Sequence, residues 1–369
     1  MSTELDTPPA ILPDEMQPPM RGPRHGMLRR RLSGTSRLLW PLLALIAILL
    51  FNYFFTPGFF HLWTRDGKVY GSLIDILNRG SPVMLLSLGM TIVIATGGID
   101  LSVGAVMAIS GAAAAVLIAR PEGCPLSALN VHGSLWGIVG ISLLLALIAG
   151  LWNGVLVAFV DVQPIVATLI LMVAGRGLAQ LIENGQIVTF EHPAFSFIGS
   201  GYFLSLPFTV TIVVIATIFF IALTRWTALG LFIESVGNNP TASRYSGINA
   251  RSVKLLCYTL CGLCAGLAGL IDTSNISAAD SNNVGMYLEL DAILAVSIGG
   301  TALIGGRFSL LGSIIGALVI QALTTTILTQ GVPQGVTLVV KAGVVVGVCM
   351  LQSEKFRAIV LKPFRRASA

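Results

Sequence analysis

Asp100, Arg176, Glu289 and Asp291 are charged side chains set in or beside long apolar runs, with Lys341 a fifth. At mid-bilayer such a charge facing lipid costs roughly 2.5–3.5 kcal/mol. These groups are therefore expected to pair, to cap a helix or to line a polar path. A guanidinium can bond several hydroxyls of a polar solute or pair with a carboxylate. The expectation is that Arg176, in VAGRGLAQL, pairs with Glu289 or Asp291 beside such a path. A place at the outer interface, where charge is cheap, is the competing reading for the two acids. Asp100 follows the Gly97-Gly98 pair in GMTIVIATGGIDLSVGAVMAISG. A glycine pair breaks a helix, and freed backbone groups in a bilayer need protein or a water-filled cavity as partner. Asp100 and Ser102 are also good helix N-caps, and capping is compatible with facing a path. Asn153, in GLWNG, either lines the path or bonds a neighbouring helix, at about 0.6 kcal/mol for such bonds.

No constellation for bond chemistry accompanies these residues, so no enzymatic activity and no cofactor are expected. All four histidines (His25, His61, His132, His192) fall outside the apolar runs, which removes a histidine proton relay. Cys257, Cys261 and Cys264 share one helix face, but a metal site needs a fourth ligand; packing is the expected role. The phosphate-cradling pattern GxxxxGK[ST] is absent, the only Gly-Lys being Gly67-Lys68 followed by Val69. Work driven by ATP would have to come from a partner.

The elements that must hold these residues are membrane helices. The chain has 369 residues, 54% hydrophobic and 11% charged, with mean hydropathy +0.85; soluble domains carry about 25% charged residues. Its 40 glycines suit helices whose backbones approach closely. Residues 1–37 read as a proline-rich disordered tail, and 38–355 as the transmembrane domain. Ten spans are expected, at 38–56, 79–96, 101–119, 135–160, 164–182, 207–224, 254–272, 287–303, 308–330 and 334–351. Residues 356–369 form a C-terminal tail. With both ends inside, the cytoplasmic segments hold sixteen basic residues against Arg65, Lys68 and Arg120 outside, Arg79 lying at a boundary. That bias places both termini in the cytoplasm. A net charge of +5 then describes a basic inner face, not a nucleic-acid platform. Residues 95–116 and 297–319 echo each other, each a Gly-Gly break before a small-residue helix. Matched interruptions of this kind point to a transport pathway.

The polar stretch LGLFIESVGNNPTASRYSGINARSVK (229–254) is far longer than the roughly six residues a turn needs. It carries Arg244, Arg251 and Lys254, with Arg225 just before it. The pattern predicts a short amphipathic helix in a cytoplasmic loop (225–253), offered to a partner.

Here the motifs become specific. GMTIVIATGGIDLSVGAVMAISG (89–111), GLWNGVLVAFV (150–160), QPIVATLILMVAGRGLAQLIENGQIVTF (163–190), ALGLFIESVGNN (228–239) and LELDAILAVSIGGTALIGGRFSLLGSIIGALVIQ (288–321) resemble monosaccharide ABC-importer permeases of the ribose, xylose and arabinose type. Within that group the resemblance is to the galactofuranose-type permease, and it covers about residues 38–355. It implies an all-α protein of the bacterial inner membrane with two weakly related halves around a central path. The implied partners are a cytoplasmic ABC ATPase, a periplasmic sugar-binding protein and a second permease subunit, different or identical. It also implies a coupling helix at about Glu234 to Gly247. In that helix Glu234, Asn238, Asn239 and Arg244 supply polar contacts, and Gly237 and Gly247 bound it. A homodimeric permease for ribose or another aldose, or an ion-coupled secondary transporter, are the alternatives.

Overall fold

The computed structural model describes residues 26–65, 67–129 and 134–352. Among these, Gly26–Ser36 falls in a unit apart from the chain from Arg37 onward, and every element after the first helix belongs to the latter. Most of the expected N-terminal tail (1–25) and all of the C-terminal one lie outside the described residues.

The described chain is helical, with small strand ribbons only. The helices are α1 (Gly26–Phe55), α2 (Ser72–Ala95), α3 (Val103–Ala119), α4 (Leu135–Ala158), α5 (Pro164–Ile182), α6 (Pro193–Ser200) and α7 (Phe208–Arg225). They continue with α8 (Leu229–Asn238), α9 (Pro240–Tyr245), α10 (Ala250–Ile276), α11 (Leu288–Ile298), α12 (Leu310–Thr329) and α13 (Gln334–Gln352). Three two-stranded antiparallel ribbons join β1 (Trp63–Arg65) to β2 (Lys68–Tyr70), β3 (Val188–Thr189) to β6 (Ala278–Ala279), and β4 (Tyr202–Phe203) to β5 (Leu206–Pro207). Each of the ten apolar runs forms a helix, but the helices are unequal. Seven of those described are long and apolar enough to cross a membrane. The run expected at 287–303 is helical over only the 11 residues of α11. At 1.5 Å per residue that is about 16 Å, roughly half a bilayer's hydrocarbon core.

The core is built from small residues. Along α10, Gly262, Gly266 and Gly269 fall on one face, and that face lies against other backbones. A Cβ on Gly262 would sit 2.6 Å from the Ala146 carbonyl oxygen and 2.8 Å from the Gly150 Cα of α4. One on Gly269 would strike the Met107 carbonyl of α3. Such spacing lets helices approach without a hydrophobic drive from water. The same helix carries Cys257, Cys261 and Cys264, all buried and free. Gly89 of α2 packs against the Cα of Cys261, so these thiols serve packing, and the described residues contain no cluster fit for a metal ion. α2 and α10 form the centre, whereas α1, α4, α5 and α7 turn apolar surface outward.

Candidate functional site

Residues 96–102 form a break between α2 and α3, and residues 299–309 a second break between α11 and α12. The two echoing sequence segments are thus two helix–break–helix units, and their breaks touch. A Cβ on Gly305 would lie 2.9 Å from the Gly97 nitrogen. At the far end of α11 from the second break, its start meets the start of α3: a Cβ on Gly285, just before α11, would lie 2.5 Å from the carbonyl oxygen of Gly104 in α3.

Two helix N-termini aimed into one region concentrate positive dipole charge, and the carboxylates sit there. Asp100 accepts from the Ser102 backbone N–H (3.0 Å) and hydroxyl (2.6 Å). Asn153 Nδ2 donates to Asp100 (3.3 Å) and to the Ser102 Oγ (2.8 Å). Asp100 is 1% exposed and Asn153 fully buried. In this conformation both are buried and tie α4 to the start of α3. Gly98 lies under the Tyr258 hydroxyl of α10, where a Cβ could not fit. Glu289 and Asp291 occupy the first turn of α11, whose N-cap, Tyr287, supplies no side-chain hydrogen bond. Their charges take over that compensation.

The expected Arg176 pairing is corrected for Asp291, while Glu289 stands close enough for its charge to act on that of Arg176. Arg176 Nη1 donates to the backbone carbonyls of Ser281 (2.7 Å) and Val284 (2.6 Å). Asp291 pairs instead with Lys341 of α13, Nζ to Oδ2 at 2.5 Å. Arg176 belongs to a stripe that the sequence reading passed over. Gln180, one turn on, bonds Asn282 (2.7 Å). Glu183, at the end of α5, accepts from the Ser281 N–H (3.1 Å) and hydroxyl (2.5 Å). Spacing of i, i+4 and i+7 puts all three on one helix face, and that face straps down the segment leading into α11. Burial pushes the Glu183 carboxyl above its ordinary range. Glu183 and Asp272 of α10 were legible by the criterion that singled out Asp100, a carboxylate beside apolar residues. Tyr258 gave no such signal.

The loop also differs from expectation. It holds two helices: α8 and α9, with Asn239 between them as N-cap of α9, its Oδ1 accepting from Ala242 N–H (3.0 Å). Gly247, with φ 84°, follows α9. Gly237 does not bound a helix; it lies in the last turn of α8, pressed on the Ala95 carbonyl of α2. Asn238 Nδ2 donates to the Glu234 carbonyl (2.8 Å). Arg244 stands in the last turn of α9.

Residues 72–349 match the family described as "Branched-chain amino acid transport system / permease component". The chain is 51% identical over 329 residues to the galactofuranose transporter permease protein YtfT of Escherichia coli K12, covering 88% of this chain and 93% of that protein. It is 39% identical to the fructose import permease protein FruF of Bifidobacterium longum, covering 87% and 89%. It is 35% identical to the ribose import permease protein RbsC of E. coli K12, covering 85% and 93%. No solved structure matches. The chain belongs to this permease family of ABC importers, and it is a membrane transport subunit, not an enzyme.

Proposed function

We propose that this subunit carries a monosaccharide, galactofuranose or a closely related sugar, into the cytoplasm of a bacterium. The observation that carries the sugar assignment is the 51% identity to the galactofuranose permease along nearly the whole of both chains. It acts with a cytoplasmic ABC ATPase, a periplasmic sugar-binding protein and a second permease subunit. The ATPase docks on α8–α9, and the basic residues gathered at that end of the bundle support an inward-facing orientation for it. The path runs past the two helix breaks and the converging starts of α3 and α11, near Gly97, Gly98, Asp100, Asn153, Arg176, Glu289 and Asp291. Broken helices at a site between related units are the usual architecture of transporter pathways. Alternating access exposes that path first to the binding protein and then to the cytoplasm, with nucleotide state biasing the two conformations.

Uptake by vesicles holding the complete complex tests the assignment. Labelled galactofuranose should enter only with ATP and be displaced weakly by ribose or fructose. A preference for ribose or fructose would replace the sugar. Uphill uptake by the isolated chain, with no nucleotide hydrolysed, would remove the importer reading in favour of an ion-coupled carrier.

A further inference from the structure

Three stretches of bare backbone interlock where α8 meets the two breaks. Gly306 N–H donates to the Ala95 carbonyl, the last of α2, at 2.9 Å. Gly237 of α8 lies on that same carbonyl, and a Cβ there would also come within 2.5 Å of the Gly306 nitrogen. A Cβ on Gly305 would lie 2.9 Å from the Gly97 nitrogen and 3.0 Å from the Gly237 carbonyl oxygen. One on Gly306 would lie 2.7 Å from Asn238 Oδ1. Gly305 and Gly306 hold φ of 102° and 94°, and Gly97 holds 82°, conformations that side chains resist. Packed interfaces of this closeness have few alternative arrangements and transmit displacement instead of absorbing it.

We propose that Gly97, Gly237, Gly305 and Gly306 form a mechanical joint that makes α8 and both helix breaks move as one body. Displacement of α8–α9 reaches α3 and α11 directly through this joint. It does not have to travel first through α7 and α10, the helices joined to α8–α9 by chain. These glycines are positioning residues: they touch no substrate. The inference rests on α8–α9 being the surface that the ATPase drives.

The test uses the whole complex, with binding protein and ATPase, in lipid. Tyr245, Ile304 and Leu204 are 89%, 91% and 82% exposed and accept spin labels as Tyr245→Cys, Ile304→Cys and Leu204→Cys, combined in pairs. Cys124, Cys257, Cys261 and Cys264 are buried, and Cys349→Ser removes the fifth thiol. Leu204 lies beyond the opposite end of α7 and serves as reference. On trapping with ATP and vanadate, the 245–204 and 304–204 distances should change together while 245–304 stays constant. Movement of the Tyr245 label with the Ile304 label left behind overturns the joint. No movement at Tyr245 overturns instead the docking reading beneath it. Separately, Gly237→Ala should cut sugar stimulation of ATPase activity about tenfold, read as the ratio to unstimulated hydrolysis in the same preparation. Gly140→Ala, on α4 away from the joint and with nothing within 4 Å, should keep stimulation. Full stimulation in Gly237→Ala overturns the proposal. Should Gly237→Ala fail to reach the membrane, the label distances decide.

Discussion

Lys341 and Asp291 are only 12% and 15% exposed, so removing one partner strands the other in a poorly solvated site. For buried pairs that loss is about 3–5 kcal/mol. Asp291→Lys and Lys341→Asp should each abolish uptake, and the double variant should recover most of it; a double variant as inactive as the singles would refute the pairing. Asp100 makes a finer test. Asp100→Ala leaves the Ser102 N–H buried without its acceptor, about 1–3 kcal/mol. Asp100→Asn keeps an acceptor oxygen and brings an amide that can donate to Asn153 Oδ1, which has no partner here. Thermal unfolding in detergent should therefore rank wild type and Asp100→Asn close together, well above Asp100→Ala. Glu183 gives a pH dependence. Its carboxyl is raised from the ordinary 4.5 by burial, so the folded state binds the proton more tightly than the unfolded chain. Its contribution is most favourable below pH 4.5 and is lost as pH rises through the raised value. Melting temperatures across that window should fall with pH in the wild type, and Glu183→Gln should flatten part of the slope. At this scale the sequence was half legible. Which residues were buried charges followed from their apolar surroundings. Which partner each took did not, because Arg176 satisfied backbone carbonyls, and no pattern of side-chain types reveals that.

Between α3 and the segment before α11, the contact is backbone on backbone. A methyl group at Gly104 meets the Gly285 carbonyl and the Glu289 carboxylate. Gly104→Ala should therefore separate the two helix starts and lower stability by about 1–3 kcal/mol, the range for overpacking. Gly140→Ala, in α4 with nothing within 4 Å, should be neutral or gain up to about 1 kcal/mol from helix propensity. Melting of both variants checks the contrast; equal effects would mean that the contact yields. Helix positions were legible from apolar runs, since these are the segments a bilayer accepts. Helix ends were not. The run at 287–303 lost its last turns to the second break because Gly299 and Gly300 end the helix while the residues beyond stay apolar. The loop at 225–253 resolved into two helices because Asn239 before Pro240 both stops α8 and starts α9, a local signal that a single-helix reading absorbed.

Across the whole molecule, the two echoing units place their breaks in contact, and α8 rests on the same point. The arrangement is one that an ATPase engaging α8, as proposed, would use. Affinity purification of the tagged permease from its native membrane should bring down an ATPase, and deletion of residues 239–246 should release it while leaving the other subunits bound. Retention of the ATPase after that deletion would move the docking surface elsewhere. The half-length of α11 has a further consequence, for biosynthesis. Eleven residues are too few to leave the translocon as an independent span, and their freed backbone ends are tolerated in lipid only when protein covers them. α11 must therefore wait beside the insertion machinery until α12 emerges, and then enter against an already seated α3. Assembly of this chain thus includes a late, ordered insertion, a step that exposes a faulty copy to membrane quality control.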